Sequence, residues 1–297
     1  MLELPKELAK AAEERRLLPF IGAGFSKNID PSIPNWSEIM EKAAHLLGYD
    51  PAVLMAQGDH LQIAEYVREE GFLPELYNQL SKEIDGKPYD VALSKPHQLL
   101  PYLDVPWIFT TNWDTWIEKG FWHEGVACSR IVSVDHFVSP RQMKPSGPDV
   151  SKTPQYTSAA VAKMKRRSPQ TTVVKFHGDF TDHNSIVFCE EDYYNRLDFE
   201  DPLDIKLRAE IIGRAVVFIG YSFSDPNVRY IWHKLKRVTK RMGSNAKRKS
   251  FFITNAKNPV AERLFQERNI ETVLLDPLNT KGDLERVLLL LIERQSP

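Results

Sequence analysis

Cysteine is scarce in this sequence, where Cys128 and Cys189 are the two in 297 residues. Two cysteines cannot build a four-cysteine zinc site, and proteins of a reducing compartment rarely hold a disulfide. The sequence therefore excludes structural zinc bound by cysteines alone, and we expect no zinc and no other metal.

Long apolar runs are also missing, since none reaches the roughly 18 residues that cross a bilayer. The N-terminus carries Glu3, Pro5 and Glu7, which is unlike a secretory signal. We therefore expect a cytoplasmic protein with no membrane contact.

A strong net charge is absent too, because the formal value of −1 gives no general attraction to nucleic acid. Residues 234–249 are a local exception, with many lysines and arginines and no acidic residue. This basic run can contact a nucleic acid or an acidic partner. The alternative is a solvated helix end and loop, because no aromatic residues interleave the charges as single-strand binding favours.

A short apolar run at residues 17–21 leads directly into Gly22-Ala23-Gly24-Phe25-Ser26. This pattern predicts a buried strand, a tight turn and a helix N-terminus, where glycine lets the backbone approach a phosphate. The sequence therefore predicts a nucleotide site.

Two common nucleotide fingerprints are not completed. Lys27 occupies the third glycine position of G-x-G-x-x-G, and no second strand ends in an acidic residue about twenty residues on, which disfavours a hydride-transferring dehydrogenase. The loop G-x-x-x-x-G-K-[ST] is absent, which disfavours an ATPase or GTPase of that type.

Apolar runs of strand length recur along the chain and alternate with helical periodicity. They predict strands at 105–111, 171–176, 215–219, 250–254 and 271–275, a further strand at 186–188, and short β-like pieces within 127–134. Residues from about 36 to 100 form a predicted helical insertion, and about 121–170 a variable one. This alternation predicts the α/β class, with a Rossmann-like doubly wound parallel sheet in a single domain over residues 1–297.

Polar residues follow five of these strands and should meet at one edge of the sheet. They are Gly22, Gly24 and Ser26, then Asn112 and Asp114, then His177, then Gly220, Ser222 and Asp225, and finally Asn255. Each has a simpler alternative, since Asn and Asp after a strand commonly form turns or caps. Asp225 before Pro226 can cap the following helix, and His97 after Pro96 is predicted to be structural.

The five motifs together resemble those of sirtuin-like NAD-consuming domains. The sirtuin pattern of G-A-G-x-S, T-x-N-x-D, H-G, G-x-S and a strand ending in Asn is matched in order by Gly22-Ala23-Gly24-Phe25-Ser26, Thr110-Thr111-Asn112-Trp113-Asp114, His177-Gly178, Gly220-Tyr221-Ser222 and Phe252-Ile253-Thr254-Asn255. Protein-deacylating sirtuins also carry a four-cysteine zinc ribbon and a Pro-Asp-Phe-Arg run. This chain has Pro34-Asn35-Trp36 instead, and is more similar to the bacterial sirtuin-like domains of anti-phage defence.

The resemblance implies hydrolysis of NAD⁺, as substrate, to nicotinamide and ADP-ribose, with Asn112 and His177 as catalytic residues. The Asn112 amide offers both a donor and an acceptor, and His177 can take a proton near neutral pH. By resemblance Asp114 meets the nicotinamide carboxamide, Ser26 and Ser222 the phosphates or ribose, and Asn255 the adenosine ribose. The other expected contacts to NAD are Gly22, Ala23, Gly24, Phe25, Thr111, Gly220 and Asp225.

The resemblance also implies partners, since several such domains work beside a HerA-type ATPase or a short Argonaute. We expect a homo-oligomer or a larger complex. The alternatives are a zinc-free protein deacylase or ADP-ribosyltransferase, and a catalytically silent NAD-binding subunit. The presence of both Asn112 and His177 disfavours the silent subunit.

Overall fold

The computed structural model describes residues 3–86, 93–133, 141–143, 170–196, 201–221, 229, 233 and 249–295. The predictions for Ser222 and Asp225, and for all of the basic run except Lys249, lie outside these residues.

The described chain is organised around one eight-stranded sheet in the order β4-β3-β5-β2-β1-β6-β7-β8. The strands are β1 (Leu17–Ile21), β2 (Trp107–Thr110), β3 (Cys128–Ile131), β4 (Arg141–Met143), β5 (Thr171–Lys175), β6 (Ala215–Ile219), β7 (Ser250–Thr254) and β8 (Ile270–Leu274). All neighbouring pairs are parallel except the edge strand β4, which runs antiparallel to β3. The predicted Rossmann-like, doubly wound parallel sheet is confirmed.

Strand β1 lies at the point where the winding of the sheet reverses. It pairs with β2 on one side, where Phe20 is opposite Phe109, and with β6 on the other, where Phe20 is opposite Phe218. Open α/β sheets bind their ligands outside the carboxyl ends of the strands at such a point. A ligand site is therefore expected at the turns after β1, β2 and β6.

Helices cover both faces of the sheet. They are α1 (Lys6–Glu13), α2 (Ala23–Ser26), α3 (Trp36–Leu47), α4 (Pro51–Met55), α5 (His60–Glu69), α6 (Leu73–Ile84), α7 (Lys95–Leu99), α8 (Trp116–His123), α9 (Glu190–Asn195), α10 (Pro202–Gly213), α11 (Pro259–Glu267) and α12 (Thr280–Gln295). Within the described ranges, none is both long and apolar enough to cross a membrane.

Alternating side chains of each strand enter two different cores, because successive residues of a strand point to opposite faces. Val217 packs in the core that includes Leu8 of α1 and Leu288 of α12. Phe218 packs in the core that includes Leu207 of α10 and Phe265 of α11. Burial on both faces explains why these strands are continuous apolar runs.

Helices α3 to α6 form a helical module between β1 and β2 with a third core of its own. Helix α3 begins with a capping box between Asn35 and Glu38 and ends at Gly48, whose φ is 76°. The core of the module includes Met40 and Leu80, and Phe188 from the segment after β5 packs into it. This packing ties the module to the carboxyl edge of the sheet.

The predicted strand at 186–188 is wrong, because these residues lie in irregular backbone. Ile186 and Phe188 are buried in the core of the helical module rather than in the sheet. The Val187 N–H donates to the His177 carbonyl at 3.1 Å, so this segment also anchors the turn that follows β5.

Candidate active site

The turn after β1 and the turn after β6 are in direct backbone contact. The Gly24 N–H donates to the Gly220 carbonyl at 2.7 Å. A Cβ on Gly24 would lie 2.9 Å from that carbonyl oxygen, and one on Gly22 would lie 2.5 Å from the Cα of Tyr221. Gly220 has a φ of +61°, and a Cβ there would lie 2.1 Å from the Phe25 nitrogen. Glycine is therefore required at these positions because the two turns pack closely against each other. The sequence alone had attributed the glycines to the close approach of a phosphate.

Asn112 follows β2 and is held in one orientation by the turn after β1. Its Nδ2 donates to the Gly22 carbonyl at 3.2 Å and to the Ser26 Oγ at 2.8 Å. A carbonyl oxygen can only accept, so the amide nitrogen must face Gly22. Among the described residues no group hydrogen-bonds the buried Asn112 Oδ1, which leaves this acceptor for a ligand or a water.

Ser26 and Asp114 complete a chain of hydrogen bonds behind Asn112. The Ser26 Oγ donates to Asp114 Oδ2 at 2.8 Å, and the Trp116 N–H donates to Asp114 Oδ1 at 3.0 Å. Burial raises the pKa of the Asp114 carboxyl, and the Lys175 ammonium opposes that shift. The carboxylate thus orders Ser26, which in turn orders Asn112.

Two buried charged side chains, Lys175 and Glu118, lie next to this chain of hydrogen bonds. The Lys175 ammonium donates to the Asp114 carbonyl and lies 3.8 Å from Glu118, with both side chains fully buried. Burial raises the pKa of Glu118, and the Lys175 charge opposes it. Breaking a buried pair leaves an uncompensated charge, so Lys175 and Glu118 together fix the loop that carries Asn112.

His177 follows β5, and its buried side chain lies against the edge of the Tyr193 ring, with 5.6 Å between ring centroids. Arg130 pairs at 2.9 Å with Asp179, two residues further on. The turn that carries His177 is therefore anchored by this ion pair and by the Val187 N–H on the His177 carbonyl.

Two adjoining cavities open at the carboxyl edge of the sheet. The inner cavity, of about 530 Å³, holds both Asn112 and His177. The outer cavity, of about 770 Å³, holds Asn255. Gly24, Lys27, Gly220 and Tyr221 line both. Each volume is in the range of small-molecule sites, and the residues that line both cavities belong to the two glycine turns and the segment directly after α2.

Most of the predicted site residues reach these cavities. The inner cavity is lined by Ala23, Gly24, Thr111, Asn112, Asp114, His177 and Gly220, and the outer one by Gly24, Gly220 and Asn255. Gly22, Phe25 and Ser26 do not line either wall. The Phe25 ring is buried against His97, with centroids 4.2 Å apart, and Asn255 Nδ2 donates to Thr280 Oγ1 at 3.0 Å.

Several cavity residues were not identified from the sequence. They include Lys27, Trp36, Trp113, Tyr193 and Arg229. Trp113 lies inside the T-x-N-x-D motif, and this position could have indicated that it lines the site. Trp36 belongs to the Pro34-Asn35-Trp36 run at a sirtuin motif position, which was a signal for it, whereas Tyr193 comes from a distant part of the chain and only the fold brings it to the inner cavity.

In the parts of the chain that the structure describes, no three His, Cys, Asp or Glu side chains group in a way that can hold a metal ion.

Comparison with known proteins gives the following relatives. NAD(+) hydrolase ThsA from Cytobacillus dafuensis is 28% identical over 286 residues, which cover 95% of this chain and 51% of the relative. NAD(+) hydrolase ThsA from Bacillus cereus (strain MSX-D12) is 26% identical over 238 residues, covering 80% and 43%. Defense-associated sirtuin 2 from Bacillus subtilis is 26% identical over 315 residues, covering 99% and 27%. This chain thus spans about half or less of the length of these relatives.

A family comparison matches residues 106–273 to the SIR2-like domain. The match begins just before β2 and ends within β8, so it contains Asn112, His177 and Gly220. Because it covers more than half of the 297 residues, this chain belongs to the SIR2-like domain family.

Proposed function

We propose that this chain hydrolyses NAD⁺ to nicotinamide and ADP-ribose. The observation that carries the proposal is that Asn112 and His177 line the same inner cavity. The Asn112 Oδ1 has no hydrogen-bond partner among the described residues. The two relatives named NAD(+) hydrolase ThsA add support.

The reaction needs little acid catalysis, because the nicotinamide of NAD⁺ is already cationic. The C1′–N bond breaks, its electron pair goes to the pyridinium nitrogen, and nicotinamide leaves as a neutral molecule. A water oxygen then bonds to C1′ of the ribose, and one of its protons is released. What the protein must supply is stabilisation of an electron-poor ribose carbon and a correctly placed water.

Asn112 and His177 divide this work. The Asn112 Oδ1 accepts a hydrogen bond from the attacking water or from a ribose hydroxyl, because its Nδ2 is fixed on Gly22 and Ser26. His177 accepts the proton that the water loses. General-base catalysis of this kind typically increases the rate about 10²–10⁴-fold. Asp114 keeps Ser26, and through it Asn112, in place.

The helical module favours water over a peptide as the acceptor. Trp36 and Ile39 of α3 and Ile84 of α6 line the inner cavity. Apolar side chains of the module in the same cavity as Asn112 and His177 suit a small acceptor, whereas a deacylase needs an open path for an acylated lysine. We therefore propose hydrolysis, and product analysis distinguishes it from protein deacylation and ADP-ribosylation.

Product analysis tests the proposal. The purified protein is incubated with NAD⁺, with and without an acetylated peptide, and the products are separated by chromatography. We expect equal amounts of nicotinamide and ADP-ribose in both samples. An acyl-ADP-ribose product that needs the peptide would identify a deacylase, and binding without turnover would identify a silent subunit.

We also propose that the protein depletes NAD⁺ in defence against phage, as an oligomer or beside a partner. One relative is named Defense-associated sirtuin 2, and the relatives are about twice as long as the matched region or longer. An NAD⁺ hydrolase without restraint would exhaust its own cell, so a second segment, copy or chain is needed to control it. Light scattering of the purified protein, with turnover assays at several concentrations and with a HerA-type ATPase or short Argonaute partner, tests this. A monomer that is fully active alone would contradict it.

A further inference from the structure

Lys27 lies at the junction of the inner and outer cavities. It is the one charged side chain among the described residues that lines both of them. It directly follows α2, and its side chain is half-buried. In the described parts of the chain no carboxylate lies within ion-pair distance of Lys27, so its charge is not neutralised by a neighbour there.

The backbone around this junction has little positive charge to offer. Helix α2 has four residues, and a macrodipole needs several aligned peptide units to develop. The Gly24 N–H donates to Gly220 and the Phe25 N–H donates to Gly22. Two of the amides expected to bind a phosphate are therefore used inside the protein.

A dinucleotide that fills both cavities places its diphosphate at their junction. This follows from its length, since the diphosphate joins the two nucleoside halves, and the residues shared by both cavities mark the middle of the site. An ammonium on a flexible stem binds phosphate as a point charge and can follow it. Glycine at this position, as in G-x-G-x-x-G, would supply no such charge.

We infer that Lys27 is the residue that binds the diphosphate of the dinucleotide, in place of the helix N-terminus that binds it in the common fingerprint. The inference rests on the proposed function, which makes a dinucleotide the substrate. Lys27 then sets affinity for the charged middle of the ligand, while Asn112 and His177 act on the reacting bond.

Calorimetry with ADP-ribose and with adenosine tests the inference, because adenosine lacks the diphosphate. Lys27→Met keeps the length of the stem and removes the charge, and we expect it to lower affinity for ADP-ribose about tenfold while leaving adenosine within about twofold. Its affinity for ADP-ribose should also depend less on salt than that of the wild type. Lys27→Arg should stay within about threefold of the wild type.

The matched control is Lys10→Met on α1, where the lysine side chain is 72% exposed and lines neither cavity. It should leave both affinities unchanged. Equal losses for ADP-ribose and adenosine in Lys27→Met, or unchanged ADP-ribose binding, would overturn the inference, as would a wild-type protein that binds no ADP-ribose. Lys27-dependent binding of ADP-ribose without any cleavage of NAD⁺ would overturn the proposed function alone.

Discussion

Asn112 illustrates how single residues are set for chemistry in this site. Its amide makes two hydrogen bonds through Nδ2, to Gly22 and Ser26, and keeps Oδ1 for the cavity. The motif T-x-N-x-D predicted the residue, but the motif does not include the partners that orient it. These partners, the Gly22 carbonyl and the Ser26 hydroxyl, lie in and after the turn that follows β1.

At this scale we predict that Asn112→Ala and His177→Ala each lower NAD⁺ turnover by at least about 10²-fold, since one positions the water and the other takes its proton. Steady-state nicotinamide release measures this, with melting temperature as a check on folding. The matched controls are Asn184→Ala and His45→Ala, whose side chains are exposed and line neither cavity. Near-normal turnover in either active-site variant would remove that residue from the mechanism.

A second prediction concerns Ser26, which acts on the reaction through Asn112. Ser26→Ala removes an acceptor for Asn112 Nδ2 and a donor to Asp114 Oδ2, and a buried group left unpaired costs about 1–3 kcal/mol. We expect kcat to fall about tenfold and the affinity for ADP-ribose to stay within about twofold. A loss of affinity as large as the loss of kcat would instead place the Ser26 hydroxyl on the ligand.

Among the elements, the strands were predictable because burial on both faces makes them continuous apolar runs. The segment at 186–188 has the same composition but packs on the helical module, and composition alone does not say which core a run enters. The glycines at 22, 24 and 220 were also predictable as turn residues. Their mutual contact depends on β1 and β6 being neighbours, which no local pattern records.

The contact between the two glycine turns gives a prediction for stability. In Gly220→Ala the new Cβ meets the Phe25 nitrogen, and φ is positive, so we expect a loss of at least about 2 kcal/mol in the free energy of unfolding. Denaturant unfolding measures it. Gly213→Ala at the end of α10 has nothing within 4 Å of its Cβ, and should be neutral or slightly stabilising. Equal stability of the two variants would mean that the turns can separate without cost.

At the scale of the whole molecule, a buried histidine that was predicted to be structural packs next to the candidate site. His97 is fully buried, its Nδ1 lies 2.7 Å from the Ser94 Oγ, and its ring packs on Phe25 beneath the first glycine turn. Burial lowers the pKa of His97 from 6.5 to about 3. Protonation of this one side chain is therefore coupled to unfolding of the fold that carries the site.

The sign of the pH effect follows from that shift. Above pH 6.5 neither the folded nor the unfolded state protonates His97, and as the pH falls toward 3 the unfolded state alone gains a proton. Each pH unit in this window removes about 1.4 kcal/mol of stability. Asp114, Glu118 and Asp204 have raised pKa values in the folded state, and their effect runs in the opposite direction.

We therefore predict that His97→Phe, which keeps an aromatic ring against Phe25, loses about 2 kcal/mol less stability than the wild type between pH 7 and pH 5. Urea unfolding of both proteins at the two pH values measures the difference, in which the shared carboxyl contributions cancel. Parallel losses in the two proteins would show that His97 is not the group that titrates.

The bond between the Asn112 amide and the Gly22 carbonyl has a consequence for control in the cell. The acceptor that meets the substrate is oriented by the protein itself, before any ligand arrives, so binding does not have to switch the reacting groups on. Under the proposed function, control of the activity therefore acts on entry of the substrate into the two cavities or on sequestration of the subunit, and a molecule bound at their junction beside Lys27 would block the site.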